Sequence, residues 1–290
     1  MWERQLKGSH TYDYHYLMKR WSMDQLNIVD AKEHRVKLPV VLGDGSQHIV
    51  VLQFSGTITA PAVIVSSADS SKREEILSLV EDWLQWDTDL AEVAAHFVGS
   101  DLERLFYAHA GTPIVKDTDL YYCLMKTIIH QQLNLKFAYT LSNRFVEAFG
   151  TKADDVWFYP SPEIVASLTY DDLRKMQFSQ RKAEYVIDTS RLIIEGKLNL
   201  NQLSAASNEE IADELTKIRG LGSWSAQNWM LFGLGRADLL PAADIGVQNA
   251  LKIYGDLTEK PTPAAIHARG ERWAPYRSYA TMTLWRSIET

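Results

Sequence analysis

The sequence predicts an α+β protein: an N-terminal mixed α/β domain built on an antiparallel sheet, residues 1–112, followed by an all-helical region, residues 113–290. Three observations carry this. Two β-prone runs flank a Gly43-Asp44-Gly45-Ser46 turn; the apolar period turns helical from Ile76; and beyond Gly111-Thr112-Pro113 nearly every segment has helical spacing.

Val36–Leu42 and Ile49–Phe54 read as a hairpin, because the turn glycines permit positive φ. Ala62–Val65 reads as a further strand entering the sheet after Pro61. Ile76, Leu77, Val80, Trp83 and Leu84 then share one helical face, and Leu90–Phe97 and Leu102–Ala110 continue helically. Past the Gly-Thr-Pro breaker come Leu120–Gln132 and Leu135–Phe149, the latter ended by Gly150. Ser161-Pro162-Glu163 opens the next helix with proline in its first turn. Ser179–Ile194 follows, stopped by Gly196, and Ser207-Asn208-Glu209-Glu210 offers a cap with an acidic first turn before Ile211–Ile218.

Composition narrows the function classes. A single cysteine, Cys123 in an apolar run, excludes an internal disulfide and any thiolate-held zinc or iron–sulfur centre. Neither a secretory leader nor an 18-residue apolar run is present, so the expectation is a soluble, cytoplasmic protein with no membrane partner, acting as a monomer. The net charge of -7 is unusual for a nucleic-acid binder, but it is unevenly placed. Residues 1–114 carry 10 Lys+Arg against 16 Asp+Glu, whereas residues 115–290 carry 20 against 21 and are free to present a local basic face.

The most informative segment is Ile218-Arg219-Gly220-Leu221-Gly222-Ser223-Trp224-Ser225. One helix ends, two glycines one residue apart turn the chain, and another helix begins. Such a turn brings backbone N–H groups at a helix N-terminus close to a DNA phosphate without side chains intervening. An ordinary tight helix–helix connection explains the glycines equally well. Twenty-two residues beyond Gly222, Asp244 follows Leu239-Leu240-Pro241 and begins a helix containing Val247, Ala250 and Leu251. Asp is a strong N-cap. A cap and a catalytic carboxylate are compatible, since the helix terminus holds the group ionised. Hydrolysis of an N-glycosidic bond builds positive charge on the sugar, which an ionised carboxylate stabilises while positioning water.

Together these elements resemble the helix-hairpin-helix DNA glycosylase superfamily. Ile129-His130-Gln131-Gln132 is similar to the Gly-Gln-Gln segment of that family's first long helix. Trp273-Ala274-Pro275-Tyr276-Arg277-Ser278-Tyr279-Ala280, with Leu284-Trp285-Arg286 behind it, resembles the C-terminal helix motif of the 3-methyladenine DNA glycosylase II branch. The resemblance spans essentially the whole chain, including an N-terminal α/β domain.

That resemblance implies a monofunctional glycosylase for alkylated bases such as 3-methyladenine and 7-methylguanine in damaged double-stranded DNA. Bifunctional relatives place a nucleophilic Lys two positions after the second hairpin glycine; here Trp224 stands there, and an indole cannot form a Schiff base. The resemblance assigns Asp244 as catalytic and Trp285 as the pocket tryptophan, with Trp224, Asn228 and Tyr279 as further pocket residues. Asn228 departs from an aromatic position, and His130 from a glycine. Ile218, Gly220, Gly222, Ser223 and Ser225 become the DNA-binding hairpin. Arg277 is a phosphate candidate, although it, Arg219, Arg272 and Arg286 also suit ion pairs. Base extrusion needs a wedge, for which Gln132 or Leu133 is placed correctly. No cofactor and no side-chain metal site are expected; the family's monovalent cation rests on hairpin carbonyls. Two rival readings are a non-catalytic hairpin DNA-binding protein and a glycosylase for deaminated or oxidised bases.

Overall fold

A computed structural model describes residues 1–8 and 10–289. Its N-terminal part is an antiparallel five-stranded sheet ordered β1-β5-β4-β3-β2. The strands are β1 (Trp2–Lys7), β2 (Ile28–Asp30), β3 (Arg35–Val41), β4 (Gln47–Thr57) and β5 (Ala60–Ser67). The expected hairpin is the β3–β4 pair, in register from Arg35 opposite Gln53 to Val41 opposite Gln47. Val36, Leu38 and Val40 alternate with Val50, Leu52 and Phe54 on the buried face.

β5 begins before Pro61, not after it. Pro61 pairs with Gly56 at the tight end of the β4–β5 hairpin, where its missing N–H interrupts little. Gly56 there has φ 83, and a Cβ on it would lie 2.2 Å from the Ala60 carbonyl oxygen. Three elements of the N-terminal part come in addition to the expected ones: β1, whose Glu-Arg-Gln run hides its alternation, the short strand β2, and a helix at Tyr14–Trp21. That helix is capped by Asp13, whose carboxylate accepts the His15 and Tyr16 N–H groups.

The remainder is helical apart from a two-stranded ribbon at Thr151–Ala153 and Val156–Phe158. Ser161, Ser179 and Ser207 each accept a first-turn N–H of the helix that follows, and Ser207 with Glu210 forms a reciprocal capping box. One buried cluster runs from Val36 and Leu52 through Trp83 and Leu124 to Trp229 and Leu284, so the sheet and the helices share a core. The C-terminal helix Arg277–Ile288 is pinned to the N-terminal part by Arg286, which bonds Asp13 and Thr112 and lies 4.6 Å over the Tyr16 ring. This leaves Arg286 engaged inside the protein. Among the described residues no helix is long and apolar enough to cross a membrane.

Candidate active site

The hairpin is formed by the helix Asn208–Thr216, a turn, and the helix Ser223–Asn228, which runs on as a π-helical turn through Trp229–Gly233. Gly220 takes φ 94, and a Cβ on it would meet the Tyr185 ring at 2.3 Å. Only glycine fits that approach. Gly222 is different: a Cβ there would meet nothing within 4 Å. Gly222 caps the second helix with no side-chain hydrogen bond, so the N–H groups of that first turn, Ser223 included, face outward. Ile218 is half-buried against the core. Ser225 is buried, and its Oγ accepts from the Gln131 side chain.

Gln131 ties the hairpin to the first long helix. Its Nε2 donates at 2.8 Å to the Gly220 carbonyl and at 2.9 Å to Ser225 Oγ. That long helix, Leu120–His130, ends sooner than its apolar period suggests because Gln131 turns extended and Gln132 enters the left-handed region at φ 56. The break is held by Lys182, whose buried ammonium donates to the carbonyls of Ile128, Ile129 and Gln131 at 3.1, 2.6 and 2.9 Å. A cation at a helix C-terminus satisfies both the orphan carbonyls and the dipole. Burial lowers the Lys182 pKa to about 8. Gln132 consequently stands exposed at the tip, whereas Leu133 is half-buried and packs on the core.

Asp244 caps the helix Ile245–Tyr254. Its Oδ1 accepts the Val247 N–H at 3.0 Å and the Trp285 indole N–H at 2.9 Å. Both bonds cross Gly246, where an added Cβ would lie 2.8 Å from Trp285 Nε1 and 2.9 Å from Asp244 Oδ1. Trp285 in turn stacks on Phe232, with centroids 5.8 Å apart and planes 16° apart. Phe232 lines a cleft of about 230 Å³ together with Asn228 and Trp224, which follow at four-residue spacing on one face. Across the cleft stand Lys126, His130 and Leu133, together with Trp21 and Asp24 from the N-terminal part. The Asn228 amide donates to the Trp224 carbonyl at 2.8 Å. His130 Nε2 lies 3.0 Å from Ser142 Oγ, and burial, reinforced by Lys126 and Lys182, drives its pKa down to about 3, leaving a neutral ring. A larger hollow of about 760 Å³ lies elsewhere, between the β3–β4 hairpin and Pro160–Glu163, and shares no lining residue with the cleft of Trp224 and Phe232.

The structure therefore sets Trp224 and Asn228 in the wall of this cleft, with the exposed Gln132 directly before Leu133 of the same wall, and joins Trp285 and Asp244 to it through Phe232, on which Trp285 stacks. It places Tyr279 and Arg277 apart from them. Tyr279 is buried, reaches Gln85 at 3.4 Å and has its pKa pushed up to about 12 by burial. Six residues from Trp285 on the same helix, it falls on a different face. Arg277 makes a two-pronged pair with Asp238 at 2.6 and 2.7 Å, and Arg219 pairs with Glu184 at 2.7 Å. Five residues that the sequence reading left unassigned shape the site: Gln131, Lys182, Phe232, Gly246 and Asp24. Phe232 was readable, since it continues the four-residue spacing of Trp224 and Asn228. Lys182 and Gln131 act across 51 or more residues of chain, and no local pattern announces such a contact.

No group of three or more His, Cys, Asp or Glu side chains among the described residues could hold a metal ion. The hairpin carbonyls of Ile218 and Gly220 each already accept a hydrogen bond, from Leu221 N–H and Gln131. A monovalent cation there would rest on backbone oxygens alone.

A glycine-turned hairpin with open first-turn amides, beside a capping aspartate held by a tryptophan, is the framework of a helix-hairpin-helix DNA glycosylase. Comparison with known proteins agrees: residues 125–275 match the family described as HhH-GPD superfamily base excision DNA repair protein. The chain belongs to that family. It is 46% identical over 289 residues to the Bacillus subtilis (strain 168) protein YfjP, named provisionally as a DNA-3-methyladenine glycosylase, and the match covers 100% of both chains. A second protein of the same strain, named DNA-3-methyladenine glycosylase, is 33% identical over 225 residues, covering 75% of this chain and 73% of that one. Among solved structures, the 3-methyladenine DNA glycosylase from Archaeoglobus fulgidus superposes with a TM-score of 0.85 at 21% identity, covering 98% of this chain and 97% of that one, which shows a shared fold.

Proposed function

We propose that this protein is a monofunctional DNA glycosylase that releases alkylated bases, among them 3-methyladenine and 7-methylguanine, from duplex DNA in base excision repair. The observation that carries this reading is the Asp244 arrangement. One carboxylate oxygen is engaged by the Val247 N–H and the Trp285 indole, while Oδ2 has no hydrogen bond among the described residues. As the C1′–N bond breaks, the base leaves with the bonding pair and the sugar gains positive charge. Asp244 stabilises that charge and orients a water whose oxygen bonds to C1′, its proton passing to the carboxylate or solvent. Bases alkylated at N3 or N7 leave readily because they are already cationic, and the indole and phenyl faces of Trp285, Phe232 and Trp224 favour a cation. The names of the relatives point to one of these substrates, 3-methyladenine.

In this proposal the outward amides after Gly222 bind a backbone phosphate, and Gln132 enters the space left by the extruded base. The protein acts as a cytoplasmic monomer. Trp224 occupies the position where a Schiff-base Lys would be needed, so the abasic strand is left intact. Borohydride treatment during turnover tests this: no covalent protein–DNA adduct is expected, and a trapped adduct would overturn the hydrolytic reading.

A further inference from the structure

We propose that Asp24, supplied by the N-terminal part of the chain, selects positively charged bases in the cleft lined by Trp224, Asn228 and Phe232, which Trp285 stacked on Phe232 connects to Asp244. The proposal rests on the alkylated-base reading above and adds a residue that sets its specificity.

Asp24 lies in the turn after the helix Tyr14–Trp21 and lines the same cleft as Trp224 and Phe232. Its side chain sits in a residue only 6% exposed, so its charge has left bulk water. Oδ1 accepts the Leu26 N–H at 3.0 Å; Oδ2 accepts no hydrogen bond among the described residues. The other charged groups of the cleft are already matched. Lys126 is bonded to Asp117, Arg20 pairs with Glu289 at 2.5 Å, and His130 is neutral. Two carboxylates and one ammonium therefore share the inner cleft, leaving one negative charge without a partner of its own.

A buried carboxylate without its own counter-ion is costly. A cationic ring entering the cleft would supply the missing charge. A neutral ring of the same shape would strip remaining water from Asp24 and give nothing in return. At about 230 Å³ the cleft holds a single heterocycle, being smaller than the roughly 300 Å³ at which drug-sized sites begin. Aromatic walls favour a cation by their faces; Asp24 adds a full charge at the edge. Burial raises the Asp24 pKa to about 6, with Lys126 pulling the other way, so the group is ionised at neutral pH.

Two non-hydrolysable duplexes separate charge from shape: one bearing 7-methylguanine on a 2′-fluoro sugar, which is cationic, and one bearing 7-methyl-7-deazaguanine, its neutral isostere. The native full-length protein should bind the cationic duplex about tenfold or more tightly than the neutral one. Asp24→Asn should bring the two within about threefold by weakening only the cationic complex, and Asp24→Glu should keep the preference. A native protein without the preference overturns the proposal whether or not any variant folds. Equal weakening of both complexes in Asp24→Asn overturns it too, and reduces Asp24 to a turn residue. If the native protein releases no alkylated base at all, the reading beneath the proposal fails; if it does and the charge preference is missing, only the role of Asp24 fails.

Discussion

Trp285 donates its indole N–H to Asp244 at 2.9 Å, across the bare Cα of Gly246. The tryptophan thus both offers a stacking face and fixes the rotamer of the carboxylate. Because Val247 N–H binds the same oxygen, the other is left free for water or sugar.

Gly246→Ala tests the closeness of this contact. A Cβ there would lie within 2.9 Å of both Asp244 Oδ1 and Trp285 Nε1, so one of them must move. A displacement near 1 Å can cost about a hundredfold in rate, and a fall of about 10- to 100-fold in single-turnover base release is expected. Trp285→Phe keeps a ring but loses the charge-assisted bond, worth about 1.5–3 kcal/mol, and should slow release by about tenfold or more. Unchanged rates in both variants would show that the contact does not matter.

Gln132 and Leu133 should separate cleanly. Gln132 sits exposed at φ 56, a conformation that costs a non-glycine residue energy. Gln132→Gly should raise stability by about 0.5–1 kcal/mol while lowering base release from duplex DNA. Leu133→Ala should lower stability instead, since Leu133 packs on the core. Urea midpoints and single-turnover rates read both effects; a wedge at Leu133 would invert the activity pattern.

The Lys182 ammonium and the Gln131 amide hold the tip and hairpin in register. Lys182→Met leaves three carbonyls without their donor and should cost about 2–4 kcal/mol. Gln131→Ala removes two bonds to the hairpin, and should speed amide exchange at Gly220–Ser223 while weakening DNA binding. Exchange unchanged at the hairpin would contradict this coupling.

His130 predicts a pH dependence of stability. Its folded pKa of about 3 lies below the ordinary 6.5, so the unfolded chain binds the proton more readily. The contribution is complete above pH 6.5 and is lost as pH falls toward 3. Between pH 7 and 5 the native protein should lose on the order of 2 kcal/mol through this group. His130→Asn should flatten that part of the profile, as read from urea midpoints at the two pH values; an unaltered slope would refute it.

Local signals carried most of the helical region. Caps at Ser179 and Ser207, the stop at Gly150 and the spacing of Ile76 to Leu84 are short-range patterns, and each has its counterpart in the structure. The hairpin glycines and Asp244 were legible for the same reason. What the sequence concealed were partners. Arg277 and Arg286 look alike as basic residues, and only the fold shows that Asp238 and Asp13 take them up. Tyr279 sits in the same motif as Trp285, yet the helical rotation sends it into the core. Asp24 enters the cleft from the opposite end of the chain, a placement that periodicity cannot convey.

Release of free base from methylated duplex DNA, compared between the native protein and Asp244→Asn, decides whether this carboxylate is catalytic. The native protein should free 3-methyladenine or 7-methylguanine and leave the strand unbroken, while the variant binds the same DNA and releases none. Equal release by both proteins, or release by neither with equal binding, would contradict the catalytic role of Asp244.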